Sequence, residues 1–280
     1  MSPQKKTVLI SGCSDGGIGS ALAKAFHTAG YHVIATARNT DKMKSLVSLG
    51  IETLALDVTS QASVDAAAGK VSQLDVLVNN AGAEYLMPVV DIDIADAKSL
   101  FDLNFWGHLS VIQAFIPLLL KSKGLIVNHT SVGASTMLPF QGVYTASKAA
   151  FAMLSDTLRI ELQPFDVKVV DLRTAVTKTN LVQNHAARAP TLPKGSIYEP
   201  AKEVVEKALR QEVFVGQGMD VDEWAQLTVR DLSQKRPLPV IWRGQGATML
   251  WFYTMMPFGA LDNWARKLVG LDAVEKIVKA

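Results

Sequence analysis

The sequence predicts an α/β fold in which a parallel sheet is covered by helices on both faces. Short apolar, β-branched segments alternate with longer segments whose apolar residues recur at helical spacing. Glycines or polar residues follow most of these segments, as expected where strands and helices end. Repeated strand–helix–strand units favour a parallel sheet, because each crossover helix returns the chain to the same end of the sheet.

The first third of the chain supplies four strands and three helices in alternation. Gly30 and Gly50 each follow a helix in the manner of a C′ glycine. Asn79-Asn80-Ala81-Gly82 ends the fourth strand. The predicted strands are Thr7–Ser11, Tyr31–Ala37, Glu52–Leu56 and Leu74–Val78, and the predicted helices are Ser20–Thr28, Asp41–Leu49 and Ser63–Val71.

The alternation continues until the sixth strand and is then lost. Two helices and two strands follow, and after them Thr179–Pro200 is rich in Pro, Ala and Asn, which predicts a loop with helical patches. Beyond Pro200 the chain is predicted to be mostly helical. We therefore predict one domain, 1–280, with a core over 5–180 and a divergent C-terminal segment over 180–280. The later predicted elements are helix Ile94–Lys121, strand Gly124–Asn128, helix Val143–Leu162 and strand Val167–Leu172.

Composition limits the classes of protein to which the chain can belong. Of its 280 residues 49% are hydrophobic and 19% charged, which is enough for a large core and too apolar for a disordered chain. The net charge of +2 argues against a nucleic-acid partner. The single cysteine, Cys13, excludes an internal disulfide framework and fits a reducing compartment. Because the start lacks the pattern of a signal peptide, and no run of about 18 apolar residues exists, we expect a cytoplasmic location.

A glycine-rich turn, GCSDGGIG at 12–19, joins the first strand to the first helix. Glycines let the backbone approach a pyrophosphate, and the free N–H groups at the start of a helix attract its negative charge. A glycine motif alone is a weak signal, but its position between a strand and a helix predicts a dinucleotide site. The adjacent glycines at 16 and 17 leave the register open by one residue.

The residues after the second strand indicate which dinucleotide is bound. NAD enzymes of this architecture place a carboxylate there for the ribose 2′-hydroxyl, whereas this chain has Ala37 and Arg38. A guanidinium pairs with a 2′-phosphate, so we predict NADPH/NADP⁺. Asp15, within the glycine turn, favours NAD mildly. Asp57, after the third strand, is expected either to accept from the adenine amino group or to cap the next helix.

Four polar side chains are predicted to meet at the carboxyl ends of the strands, where an open α/β sheet binds its ligand. Tyr144 and Lys148, at i and i+4, share one helix face. Ser131 follows the fifth strand, and Asn104 lies in the long helix before it. An ammonium beside Tyr144 should lower the pKa of its phenol and let it exchange a proton with a substrate. Ser131 would hydrogen-bond the substrate oxygen.

Together, these elements resemble the short-chain dehydrogenase/reductase family over roughly 5–180. The resemblance implies a Rossmann-type, doubly wound parallel sheet of about seven strands. It also implies that Asn104, Ser131, Tyr144 and Lys148 are catalytic, with Asn104 holding a relay water and Lys148 holding the nicotinamide ribose. The remaining cofactor contacts are expected at Gly12, Ser14, Asp15, Gly17, Ile18, Gly19, Arg38, Asp57, Val58, Asn80, Ala81, Gly82, Thr174, Thr177 and Thr179.

Other residues give weaker signals. The family has Pro-Gly after the sixth strand, whereas this chain has Thr174-Ala175, which could shift the loop that should reach the nicotinamide amide. His129 could line the pocket, but a strand histidine is more often structural. Cys13 is expected to pack under the cofactor loop. The remaining histidines are too scattered for a metal site, and none is predicted.

By this resemblance, substrate choice resides in 180–280. There, ATMLWFYTMMPFGA at 247–260 carries no charge and is too short to span a bilayer. We expect it to be a partly buried core helix, to close an apolar pocket, to form a subunit contact, or to contact a membrane surface through Trp251 and Phe252. Its methionines suit a bulky or adaptable apolar ligand.

A narrower resemblance suggests a substrate class. GCSDGGIG, LFDLNFWGH, YTASKAAF and a tail with WRG before an apolar run are similar to the NADPH-dependent 1-acyldihydroxyacetone-phosphate reductase group. That group reduces an acyl-lipid ketone and associates with lipid surfaces, which implies a peripheral location at the endoplasmic reticulum or lipid droplets. Similar sequences also serve as ketoreductases of specialised metabolism. We therefore predict an NADPH-dependent reductase of a bulky apolar ketone.

Three alternatives stay open at this point. The enzyme could run as an NADP-linked alcohol dehydrogenase, it could use the pocket for non-redox chemistry such as cyclisation, or the chain could be a cofactor-binding scaffold without turnover. The family resemblance also implies a homodimer that pairs helices 94–121 and 143–162 with their copies, or a homotetramer.

Overall fold

The computed structural model describes residues 5–180 and 190–280. All of its strands run parallel in one seven-stranded sheet. They are β1 Thr7–Ile10, β2 His32–Ala37, β3 Glu52–Ala55, β4 Val76–Asn79, β5 Leu125–His129, β6 Lys168–Thr174 and β7 Val240–Arg243. The spatial order β3-β2-β1-β4-β5-β6-β7 reverses direction between β1 and β4, and this switch point opens a crevice at the carboxyl ends of the strands.

Helices cover both faces of the sheet. They are α1 Ile18–Thr28, α2 Lys44–Val47, α3 Gln61–Ala68, α4 Ile94–Phe101, α5 Gly107–Ser122, α6 Gly142–Glu161, α7 Lys202–Leu209, α8 Val221–Leu232, α9 Ala247–Tyr253, α10 Asp262–Leu268 and α11 Leu271–Lys279. A π-helical turn, Asp102–Trp106, joins α4 to α5 without a break. The predicted doubly wound α/β fold is confirmed.

Two apolar layers enclose the sheet. Side chains alternate across each strand, so Val8 and Ile10 belong to one layer and Leu9 to the other. The first layer lies under α1 and α8 and contains Trp224, whose side chain is fully buried. Because both faces are covered, the central strands β1 and β4 are fully buried and mostly apolar, which is the pattern expected of a parallel sheet.

The sequence placed most elements correctly, with two differences. The C-terminal segment was predicted to be mostly helical, yet β7 lies within it and pairs with β6 in the register Leu172↔Ile241. The predicted helix Asp41–Leu49 is instead a 3₁₀ turn, Thr40–Met43, followed by the short α2. Part of the predicted loop after β6, 181–189, lies outside the described residues.

The continuous helical stretch Ile94–Ser122 is long and apolar enough to cross a membrane by length and composition, with a mean hydropathy of 1.4. It lies against the sheet, because Val111, Phe115 and Leu119 of α5 are buried in the second apolar layer. It is therefore the core helix that the alternating pattern predicts.

A third apolar cluster attaches the C-terminal segment to the core. Val205 and Leu209 of α7 and Val274 of α11 pack with Leu86 and Phe140, which follow β4 and precede α6. This packing brings the C-terminal helices over the crevice at the switch point.

Candidate active site

A cavity of about 960 Å³ occupies the carboxyl edge of the sheet. Its wall gathers residues from the ends of β1 to β6 and from the C-terminal helices. The predicted site residues that line it are Gly12, Ser14, Asp15, Gly17, Ile18, Arg38, Asp57, Val58, Asn80, Ala81, Gly82, Ser131, Tyr144, Lys148, Thr174, Thr177 and Thr179. Gly19 and Asn104 lie behind this wall rather than on it.

The glycine turn is built for close backbone approach. Gly12 has φ +74°, and a Cβ there would lie 2.8 Å from Ala81 Cα. A Cβ on Gly19 would lie 2.4 Å from the Gly12 carbonyl oxygen, so Gly19 lets α1 pack against the turn and has no place in the cavity wall. Gly17 and Ile18 bring the start of α1 to the cavity, where its free N–H groups fit a pyrophosphate.

Two cations mark the adenosine end of the cavity. Arg38 and Lys42 both line it and are exposed. The Asp15 carboxylate accepts from Ser45 Oγ at 2.5 Å and Ser45 N at 3.3 Å, so it is already engaged. Asp57 accepts from the backbone and hydroxyl of Thr59 and lines the cavity, but it does not cap the next helix, because the N-cap of α3 is Ser60.

Ser131, Tyr144 and Lys148 converge at the other end of the crevice. The Ser131 hydroxyl faces the Tyr144 phenol and partly offsets the rise in its pKa that burial causes. Lys148 Nζ donates to the His129 carbonyl at 3.0 Å and lies 6.0 Å from the centre of the Tyr144 ring. An acid, a hydroxyl donor and an ammonium thus line one wall, as proton transfer to a carbonyl oxygen requires.

Asn104 supports this wall from behind. It is buried in the π-helical turn, where its amide donates to Ala83 O at 3.0 Å and to Ser147 Oγ at 3.1 Å, while its oxygen accepts from Ala83 N. The side chain therefore fixes α6 to the loop that follows β4. The relay-water role implied for Asn104 stays a prediction.

A second buried chain of hydrogen bonds holds α6 to the sheet. Asn79 Nδ2 donates to Asn128 Oδ1 at 2.9 Å, and Asn128 Nδ2 donates to Ser155 Oγ at 2.8 Å. Ser155 lies on the buried face of α6, as do Ser147 and Lys148. Buried polar networks of this kind fix one geometry, because breaking any member leaves the others unsatisfied.

The electrostatics differ from the sequence-based expectation at Tyr144. Burial raises the pKa of its phenol, and the nearby Glu84 charge raises it further, so the predicted lowering is absent. Burial also lowers the pKa of Lys148 to about 8, against the raising effects of Glu84 and Asp171. Tyr144 is therefore protonated at neutral pH, as an ordinary phenol is.

His129 plays a larger part than its sequence position suggested. Its ring bonds Asn80 Oδ1 at 2.9 Å through Nδ1 and Thr174 Oγ1 at 2.6 Å through Nε2. Burial and the Lys148 charge lower the pKa of the imidazole to about 3, so the ring is neutral. The ring thus links the end of β4 to the end of β6, a contact that no local motif reveals. Lys42, in the 3₁₀ turn, was likewise missed.

The substrate end of the cavity is mostly apolar and comes largely from the C-terminal segment. Its polar members include Glu84, Gln211, Thr136 and Gln141. Leu250 of α9 lines the cavity, while Trp251, Phe252 and Phe258 of the same apolar segment are exposed. The segment is thus mostly exposed rather than a core helix, and Leu250 forms part of the cavity wall. That the segment closes an apolar pocket stays a prediction. Subunit or membrane contact stays a prediction. The apolar residues at this end are Leu103, Met137, Leu138, Phe214, Leu250, Trp264 and Leu268.

Comparison with known proteins identifies relatives over the whole chain. A family model described as short chain dehydrogenase matches residues 6–189. A short-chain dehydrogenase/reductase of Pestalotiopsis microspora is 50% identical over 280 residues, 100% of this chain and 99% of the relative. The NADPH-dependent 1-acyldihydroxyacetone phosphate reductase of Schizosaccharomyces pombe is 41% identical over 209 residues, 72% of this chain and 70% of the relative. The crystal structure of a short-chain dehydrogenase from Streptomyces avermitilis superposes with a TM-score of 0.76 at 29% identity, over 99% of both chains.

Proposed function

Because the chain belongs to the short-chain dehydrogenase/reductase family, we propose that it is an NADPH-dependent reductase of bulky, largely apolar ketones. The observation that carries this proposal is one continuous cavity. Ser131, Tyr144 and Lys148 lie between a cofactor cradle at one end and an apolar chamber at the other. A hydride donor and a ketone could therefore meet beside the one phenol of the cavity wall.

The preference for NADPH is supported by charge. Arg38 and Lys42 line the adenosine end, and their cationic groups would pair with a 2′-phosphate. Asp15, the carboxylate that could instead bind a ribose hydroxyl, is held by Ser45. The S. pombe relative named above as NADPH-dependent agrees with this assignment.

The chemistry follows from the protonation states of the residues. Bound NADPH would supply the hydride to the carbonyl carbon. Ser131 would hydrogen-bond the carbonyl oxygen and stabilise its developing charge. Tyr144, a phenol that is protonated at neutral pH, would donate its proton to that oxygen. Lys148, on the same helix face, would favour the phenolate that remains.

The first experiment is to titrate the purified chain with NADPH and NADH and follow its tryptophan fluorescence. We expect tighter binding of NADPH, and reduction of bulky apolar ketones when NADPH and a ketone are mixed. Tyr144→Phe should bind NADPH like the wild type but reduce ketones about 10²- to 10⁴-fold more slowly, because the proton donor is lost. An unchanged rate in this variant would contradict the mechanism, and failure to bind either dinucleotide would exclude hydride transfer altogether.

A further inference from the structure

Glu84 and Gln211 form a polar pair in the apolar end of the cavity. Gln211 Nε2 donates to Glu84 Oε2 at 2.6 Å, although 127 residues separate the two in the chain. Both side chains line the cavity. Within the described residues, the second carboxylate oxygen of Glu84 makes no hydrogen bond, so it is available to a ligand.

The position of the pair suits contact with a substrate. Glu84 lies two residues after Gly82. A Cβ added to Gly82 would lie 3.6 Å from Lys148 Nζ, so this part of the chain runs close to the ammonium group. The Glu84 charge also influences the pKa values of both Tyr144 and Lys148, which places the carboxylate within electrostatic reach of the reacting groups. The pair therefore lies next to the place where the ketone would react.

Gln211 comes directly after the end of α7. Its backbone adopts φ +56°, the left-handed conformation in which many helices end, and its N–H donates to Ala208 O. Its side chain is buried and directed to Glu84. The end of α7 therefore fixes the position from which the amide reaches the carboxyl group.

The charges around the pair select the chemistry of its ligand. Burial raises the pKa of the Glu84 carboxyl group, whereas the hydrogen bond from Gln211 and the Lys148 charge favour its ionised form. As a carboxylate it accepts from a hydroxyl group and repels phosphate. The cations Arg38 and Lys42 line the opposite, adenosine end. In the part of the chain that the structure describes, Lys148 is the one cation lining the wall beyond them, and it donates to the His129 carbonyl. Among the residues that the structure describes, a phosphate on the substrate would therefore meet Glu84 without a free cationic partner.

From this arrangement we infer that Glu84 and Gln211 bind a hydroxyl group of the substrate, which is a neutral, hydroxyl-bearing ketone rather than a phosphate ester. The inference rests on the proposed ketone reduction and specifies its substrate. It differs from the activity named for the S. pombe relative, whose ketone carries a phosphate.

Two matched pairs of ketones test it with the wild-type chain. One pair is 1-palmitoyl-dihydroxyacetone, which has a free hydroxyl, and its phosphate ester. The other is 6-hydroxy-2-acetylnaphthalene and its 6-methoxy ether. We expect kcat/KM to be at least about tenfold higher for the hydroxyl member of at least one pair, because a hydrogen bond to a charged group typically changes an equilibrium by about that factor. The phosphate ester should never be reduced with the higher kcat/KM. Faster reduction of the phosphate ester, or equal rates within both pairs, would overturn the inference while leaving ketone reduction intact. Reduction of no ketone would instead overturn the proposed function, and this inference with it.

Variants assign the preference to the pair. Glu84→Gln keeps the size of the side chain but removes its charge, so the ratio of hydroxyl to phosphate substrate should fall by about tenfold. Glu203→Gln, an exposed carboxylate change in α7, should leave the ratio unchanged. An unchanged ratio in Glu84→Gln that binds NADPH normally would contradict the assignment. If that variant does not fold, Gln211→Leu provides the second test, because it removes the amide and should lower kcat/KM for the hydroxyl member selectively.

Discussion

At the scale of single residues, His129 determines how the two sides of the cofactor cradle are joined. Asn80 Nδ2 donates to the carbonyls of Ser11 and Gly12, which turns Asn80 Oδ1 toward the imidazole. His129 must therefore donate from Nδ1, and its Nε2 must accept from the Thr174 hydroxyl. The neutral ring is a positioning group between the glycine turn and the loop after β6.

Replacing His129 tests this positioning role. His129→Phe keeps a planar ring but leaves Asn80 Oδ1 and the Thr174 hydroxyl without partners, at a cost of about 1–3 kcal/mol in the free energy of unfolding. We expect the Kd for NADPH to rise about tenfold, because Asn80 no longer holds the glycine turn. His129→Gln, which can donate and accept, should recover most of the affinity in a fluorescence titration. Wild-type affinity in His129→Phe would contradict the role.

Lys148 should control the pH dependence of ketone reduction. Its pKa is lowered to about 8, so its ammonium is lost as the pH rises through that value. Tyr144 stays protonated over the same range, because its pKa is raised. A profile of kcat/KM for the ketone should therefore be level at neutral pH and fall at higher pH, with the fall beginning near pH 8.

A variant can assign the falling limb of that profile. The Glu84 charge is the largest effect that raises the pKa of Lys148, so Glu84→Gln should move the limb to lower pH. Glu203→Gln should leave it in place. A limb near the ordinary pKa of tyrosine, about 10, and insensitive to Glu84→Gln would show that Tyr144 governs it instead.

Single residues also show where sequence-based prediction succeeds. The glycine turn, Ser131, Tyr144 and Lys148 were predictable, because each lies at a fixed position relative to a strand end or on one helix face. Glu84, Gln211 and the two partners of His129 were not, because their contacts depend on chain segments far apart in sequence. The raised pKa of Tyr144 was missed for a related reason, since the extent of burial is a property of the folded chain.

At the scale of elements, predictability followed the strength of the local pattern. Strands buried on both faces and helices with a repeated apolar stripe were predicted correctly from the sequence. The strand β7 has only four residues, two of them Trp242 and Arg243, so it lacks the apolar run of its neighbours. Its place is set by pairing with β6, and Arg243 is held by an ion pair with Asp231 of α8. The π-helical turn at Asp102–Trp106 also depends on tertiary contacts, because Asn104 within it binds Ala83 and Ser147.

At the scale of the whole molecule, one outer face combines apolar side chains from several elements. Met153 and Ile160 of α6, seven residues apart, are 68% and 56% exposed. Trp106 and Ile94 are also exposed, and together with Ala146 of α6 they line an open groove of about 540 Å³. Lys148 lies on the buried face of the same helix, so covering this outer face would leave the cavity open. Exposed apolar patches of this kind commonly mark subunit contacts.

We predict that the chain is a dimer in which this α4–α6 face meets its copy. A contact between two such faces would have to bury about 1,200–2,000 Å², the size of a stable interface, and would remove the exposed side chains of α6 from water. Light scattering coupled to size-exclusion chromatography should give twice the 30.3 kDa chain mass. The double variant Trp106→Glu, Met153→Glu should be a monomer, because its glutamates would be buried in the interface without partners.

The control is Leu238→Glu, which changes an equally exposed residue before β7 and should stay dimeric. A monomeric wild type, or a double variant that still dimerises, would contradict the prediction, and NADPH binding by the monomer would show that the cofactor site is complete within one chain.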